Sequence, residues 1–141
     1  VLLVLALIAV GCGGGGAPAG AEVSVYAAAS LCVEAQNAVK ETDAKAVDLS
    51  VRVVCLPPVE TGAGADLATA GRNARRATED STAVAYVEAP GPAAEFGRPI
   101  VEAADLAWLK TDSGSKAAQR ILGALEGAGS SPRQAVLDEV G

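Results

Sequence analysis

Leu49-Ser-Val-Arg-Val-Val-Cys-Leu56, closed by Pro57-Pro58, is the stretch on which the fold turns. Its β-branched content and the two prolines predict a strand that stops at residue 56. Arg52 in the middle predicts an edge position, because a central parallel strand is covered on both faces and rarely accepts an unpaired charge. Upstream, Glu22-Val-Ser-Val-Tyr-Ala27 alternates and reads as a strand, and Leu31 to Lys45 has helical composition. Downstream, Asp66 is a good N-cap, after which Leu67, Ala70, Ala74 and Ala77 recur at helical spacing with Arg72, Arg75, Arg76 and Glu79 away from them. Thr82-Ala-Val-Ala-Tyr-Val87 is a third strand. Ala93 to Ala104 is helical, with Pro99 either kinking the helix or delaying its start. Leu106-Ala-Trp-Leu109 is a short fourth strand. From Ser115 the stripe Ala118, Ile121, Leu122 and Leu125 predicts a helix ended by Gly127 and Gly129. Ser131-Pro132-Arg133-Gln134 reads as a capping box with proline at the first helical position.

Strand and helix thus alternate four times and an additional C-terminal helix follows. That pattern predicts an α/β fold: an open parallel four-stranded sheet with right-handed crossovers and helices on both faces. With strand two at an edge the order is 2-1-3-4, the flavodoxin-like arrangement. No internal repeat is visible.

The 141 residues suit one domain, and with 50% hydrophobic but only 3% aromatic residues its core must be built from Ala, Val and Leu. The net charge of -6 falls wholly after residue 20, since residues 1–20 contain no Asp, Glu, Lys or Arg. Such a balance argues against nucleic acid as a partner, and the cluster Arg72, Arg75 and Arg76, beside Glu79 and Asp80, reads as a solvated helix face.

Val1 to Val10 are all apolar and run into Gly11-Cys12, Gly13 to Gly16 and Ala-Pro-Ala-Gly. The run is too short to span a bilayer and fits the apolar region of a secretory signal. Ala9-Val10-Gly11-Cys12 resembles the bacterial lipobox, in which small residues precede a Cys that is lipidated. The expected organisation is a signal segment over 1–11, lipidated Cys12 and a Gly/Ala/Pro tether over 12–21, and a single-lobe domain over 22–141, exported and held on the extracytoplasmic or periplasmic side of a membrane by its lipid. Export places Cys32 and Cys55 in an oxidising space, where they are expected to pair, because neighbouring parallel strands finish at the same edge. Two buried free thiols are the alternative.

There is no His, and two Cys remain outside the lipobox. A Ser-His-Asp triad, a Cys-His pair and a typical zinc site are excluded, and no phosphate-binding glycine motif has its required context. No catalytic residue, metal or cofactor is expected. In an open α/β sheet ligands bind outside the carboxyl ends of the strands, near the switch point of strand order. Ser30, Glu88, Thr111 and Ser113 stand at those ends and are the candidate contacts for a small polar solute; caps and turns are the competing use of each.

From Asn73 to Leu109 the chain resembles the N-terminal lobe of the type I periplasmic-binding proteins, the branched-chain amino-acid (leucine/isoleucine/valine) receptors of ABC transporters. The carrying residues are Asn73-Ala-Arg-Arg-Ala-Thr-Glu-Asp80, Thr82-Ala-Val-Ala-Tyr-Val87 and Pro99-Ile-Val-Glu-Ala-Ala-Asp-Leu106. The resemblance implies solute capture linked to transport of amino acids. The family's hydroxyl-bearing loop after the third strand is here Ala89-Pro90-Gly91-Pro92, and its members close a second lobe over the solute. A single lobe acting as an envelope protein-interaction module is therefore one alternative. Another is a fragment of the molybdate-binding type, whose opening strand Val25-Tyr-Ala-Ala-Ala-Ser-Leu31 resembles.

Overall fold

The structure is a computed structural model that describes residues 20–42, 48–60, 66–129 and 131–141. Four strands, β1 (Ala21–Ala27), β2 (Leu49–Cys55), β3 (Ala83–Glu88) and β4 (Ala107–Lys110), form one all-parallel sheet in the order β2-β1-β3-β4. Five helices accompany them: α1 (Ala29–Glu41), α2 (Leu67–Thr78), α3 (Ala94–Glu102), α4 (Gly114–Glu126) and α5 (Pro132–Val140). The α/β class, the strand order and the edge position of the strand carrying Arg52 are those the sequence predicts. The signal segment, the lipidation expected at Cys12 and the tether as far as residue 19 lie outside the described residues, and Ala21, expected in the tether, opens β1.

The two-residue period of the strands sorts the core into two layers. Val23, Val25 and Ala27 of β1, Ala85 and Val87 of β3, and Leu109 of β4 face Leu31 and Cys32 of α1, Ile121 and Leu125 of α4, and Val136 and Val140 of α5. On the other side, Tyr26 and Tyr86 pack with Leu106 against Ala74 and Ala77 of α2 and Val101 of α3. The central strands β1 and β3 are therefore buried on both faces, while β2 alternates half-buried and exposed positions as an edge strand should.

Small side chains give little apolar area each, so the helices must come close to bury enough. Ala35 and Ala38 of α1 meet Ala118 of α4. Gly114, the first residue of α4, lies so near α1 that a Cβ would overlap the carbonyl oxygen of Leu31 and come within 3.0 Å of the Ala35 nitrogen.

Arg52 escapes the penalty of an unpaired charge through a polar network at the amino edge of the sheet. Its guanidinium donates to Ser24 Oγ at 2.9 Å, stands 3.6 Å from Asp80 and 3.4 Å from Glu22. Ser24, fully buried, shares a 2.7 Å hydrogen bond with Thr82, whose hydroxyl and backbone N–H both donate to Asp80. Tyr26 donates to the other Asp80 oxygen at 2.8 Å. Desolvation pushes the Asp80 carboxyl up, but the hydrogen bonds from Thr82, Tyr26 and Ser24 outweigh it and hold the pKa at about 2.

Element ends differ from expectation in instructive ways. Helix α1 begins at Ala29, directly after β1, and stops at Glu41, where Thr42 turns to extended backbone. Pro99 sits inside α3, neither ending it nor starting it. Leu106 precedes β4 and is a fully buried core residue. Pro132 does open α5, but the Ser131 side chain makes no capping bond, and Gln134 donates to Asp138 at 2.6 Å one turn on. The start of α5 is held instead by Arg133, which donates to the carbonyls of Ala83 at 2.8 Å and Asp80 at 3.1 Å.

Two outcomes are expected. Gly114→Ala should lower stability by about 1–3 kcal/mol or more in urea denaturation, whereas Gly123→Ala, with nothing within 4 Å of the added Cβ, should raise it by about 0.5–1 kcal/mol. Because the folded-state pKa of Asp80 lies below its ordinary 3.8, the stability it contributes is complete above that value and is lost as pH falls toward 2. Asp80→Asn should remove about 2 kcal/mol of that acid-sensitive stability, read from thermal midpoints between pH 2 and 6.

Candidate functional site: a cavity at the carboxyl edge of the sheet

All four strands end on one edge, and the strand order reverses direction between β1 and β3, whose crossover helices leave to opposite faces. Beyond that point the backbones diverge and leave a crevice. The hydrogen-bond ladder carries on past the strand ends and shapes its walls: Leu56 N donates to Ala27 O, Ala28 N to Val87 O, and Thr111 N to Glu88 O, all at 2.9–3.0 Å.

A cavity of about 160 Å³ occupies this crevice. One wall is Ala28, Ala29 and Ser30, where β1 passes into α1; a second is Leu56 to Val59, after β2; the third runs from Glu88 through Pro90 to Ala94, ahead of α3. Tyr86 and Asn73 close the floor from β3 and α2. Prolines and alanines make most of this surface apolar, and they hold its shape because proline has little backbone freedom to lose.

Two ties set the wall after β2. Cys32 of α1 and Cys55 at the end of β2 form a disulfide with a Cα–Cα distance of 5.4 Å. One half-cystine lies two residues after Ser30 and the other directly before Leu56, so the bridge joins the two cavity walls. Asn73, only 5% exposed, donates from Nδ2 to the Pro57 carbonyl at 3.0 Å and fixes the turn against α2.

Among the described residues Glu88 is the one ionisable carboxylate in the lining. Its Oε1 accepts from the Ala89 N–H at 3.1 Å and its Oε2 from the Tyr86 hydroxyl at 3.3 Å. Desolvation raises its pKa above the ordinary glutamate value, and those two hydrogen bonds only partly offset the rise. Burial and the neighbouring carboxylate push the Tyr86 hydroxyl far up as well. Among the described residues no Lys or Arg lines the cavity. Lys110, the ladder neighbour of Glu88 on β4, is turned away to an ion pair with Glu95.

The sequence-derived candidates divide in two. Ser30 and Glu88 come together in the cavity. Thr111 and Ser113 do not: Ser113 is the N-cap of α4, accepting from Lys116 N, and Thr111 Oγ1 accepts from Ser113 N at 3.1 Å. Glu34 of α1 completes that cap by accepting from Gly114 N at 3.0 Å. Thr111 instead borders a separate groove along the free edge of β4, with Trp108, Lys116 and Arg120. Asn73 and Tyr86 were not anticipated. The signal for Asn73 was its position three residues after Ala70 on the apolar side of α2; for Tyr86 it was the alternation that puts it on the face of Glu88.

Comparison with protein-family models, characterised proteins and solved structures returns no match to this chain. Among the described residues there is no group of three or more side chains able to hold a metal ion, and no helix long and apolar enough to cross a membrane.

The bridge closes a loop with a sequence separation of 23, for which chain entropy predicts about 3 kcal/mol of stabilisation. Reduction, or Cys55→Ser, should lower the urea midpoint accordingly, and the amides of Leu56 and Val59 should then exchange with deuterium well before those of β3.

Proposed function

We propose that this protein is an exported, lipid-anchored binding protein that takes a small solute in the cavity between the ends of β1 and β3. One observation carries the reading: the cavity coincides with the switch point of the parallel sheet and presents Glu88 from otherwise apolar walls. Ligand sites in open α/β sheets have this character, with few polar groups in an apolar crevice. Anchoring rests on the lipobox-like Ala9 to Cys12, and the Cys32–Cys55 bridge supports an oxidising compartment. The likeness to the N-terminal lobe of the branched-chain amino-acid receptors adds a candidate physiological setting: delivery of an aliphatic amino acid to an ABC transporter at the cell membrane. No cofactor and no catalytic group enters this account. The oxyanion of a molybdate-type protein fits the lining poorly, since it would meet the Glu88 carboxylate with no Lys or Arg among the described lining residues to balance it.

A second reading, docking of an envelope protein, is favoured by Leu67 and Phe96, which are 42% and 45% exposed. Both stand in the first turn of their helices, on the same sheet edge as the cavity. Exposed apolar side chains at this edge of the sheet suit a protein surface as well as a solute.

Thermal melting of the purified chain against aliphatic amino acids and related small solutes separates the two readings. Solute binding predicts a rise in midpoint, equivalent to about 2.7 kcal/mol at a hundredfold excess over Kd. No shift with any solute, together with a retained monomeric fold, contradicts solute binding and leaves docking. For the anchor, membrane-fractionated protein should carry acyl mass on Cys12, and a Cys12→Ser form that is still acylated contradicts it.

A further inference from the structure

We infer that the cavity recognises a primary ammonium group borne on a compact aliphatic body, with Glu88 as the counter-ion. The inference rests on the solute-binding reading and deepens it by naming the chemistry of the solute.

Three features of the lining point the same way. First, the carboxylate is uncompensated. Its hydrogen bonds come from neutral donors, the Ala89 amide and the Tyr86 hydroxyl, and the cation nearest in the ladder, Lys110, is engaged with Glu95. A half-buried carboxylate in apolar surroundings is satisfied by an occupant that brings the positive charge with it. Second, beyond Glu88 the described lining is mostly Ala, Pro, Leu and Val, and of its polar side chains Asn73 is bound to the Pro57 carbonyl and Tyr86 to Glu88 itself, which favours an alkyl body over a hydroxylated one. Third, about 160 Å³ is well below the ~300–1,000 Å³ of pockets that take drug-sized ligands, so the occupant has only a handful of heavy atoms.

The ammonium group has two sources, a simple alkylamine or an amino acid. The start of α1 bears on the choice: Ala28 carries no side-chain cap, and the Ala29 and Ser30 amides that border the cavity have no partner among the backbone hydrogen bonds of turns and caps. They are placed to receive a carboxylate, should the solute have one.

Protonation of Glu88 supplies an internal control. Of the groups around it, Tyr86 stays neutral, Lys110 is paired with Glu95, and the other described lining residues carry no titratable side chain. Glu88 has a raised pKa when the cavity is empty, so at low pH the ammonium must displace a proton. Affinity should therefore be greatest between the Glu88 and amine pKa values and fall about tenfold per pH unit on the acid side.

The test is calorimetric titration of the oxidised chain with isobutylamine, leucine, isobutanol and isovalerate at pH 7.5, with isobutylamine repeated down to pH 4. Isobutylamine or leucine should bind, isovalerate should not, and Glu88→Gln should weaken binding by about thirtyfold or more. Leucine tighter than isobutylamine identifies an amino acid as the source; the reverse order identifies a simple amine. If isobutanol binds as tightly as isobutylamine, the cavity is a solute site but the ammonium inference is overturned. If none of the four binds, the solute reading falls with it. Should Glu88→Gln fail to fold, the pH series on the wild-type chain decides: a flat profile down to pH 4 overturns the role of Glu88.

Discussion

Burial of β1 on both faces is the constraint on which the molecule depends. Once Val23, Val25 and Ala27 pack on one side and Ser24 and Tyr26 on the other, β1 must be flanked by strands, and β2 and β3 take those places. The helices that leave β1 and β3 lie on opposite faces, so the chain parts at the carboxyl end of β1. The cavity is the space left by that parting. It is a consequence of strand order, and the side chains lining it decide only what can enter.

The two edges of the sheet manage polarity differently. At the amino edge Arg52, Asp80, Ser24, Thr82 and Tyr26 satisfy one another, and Arg133 adds α5 to the group through backbone carbonyls. Nothing there asks for an outside partner, and the network acts as a clasp across β2, β1 and β3. At the carboxyl edge Glu88 has neutral donors alone and walls of proline and alanine. One closed and one open polar cluster, at opposite ends of the same strands, is the contrast on which the proposed binding end rests.

Much of this was legible in the sequence, and for physical reasons. A charged residue in the middle of an apolar run forces an edge strand, so Arg52 alone ordered the sheet. Its partner Asp80 was not legible, being 28 residues away in the chain and brought near by the β1–β3 pairing. The pairing of Cys32 with Cys55 followed from compartment and strand direction together. Hydroxyls were harder, because Thr111 and Ser113 serve local backbone as readily as a ligand, and here the start of α4 claims both. The capping box at Ser131 failed for a similar reason: Gln134 finds Asp138 four residues on, and the long reach of Arg133 makes the box dispensable. Asn73 stands on the apolar side of α2, but its partner, the Pro57 carbonyl, lies 16 residues away in the chain and is brought near only by the fold.

The central claim is that the crevice between β1 and β3 is where a solute binds. Amide chemical-shift mapping during titration with leucine or isobutylamine tests it most directly. The account predicts perturbations confined to the amides of Ala28–Ser30, Leu56, Val59, Asn73, Tyr86 and the non-proline residues from Glu88 to Ala94, saturating together. Shifts centred instead on the free edge of β4 around Trp108 and Lys116, or spread evenly over the surface, would contradict it.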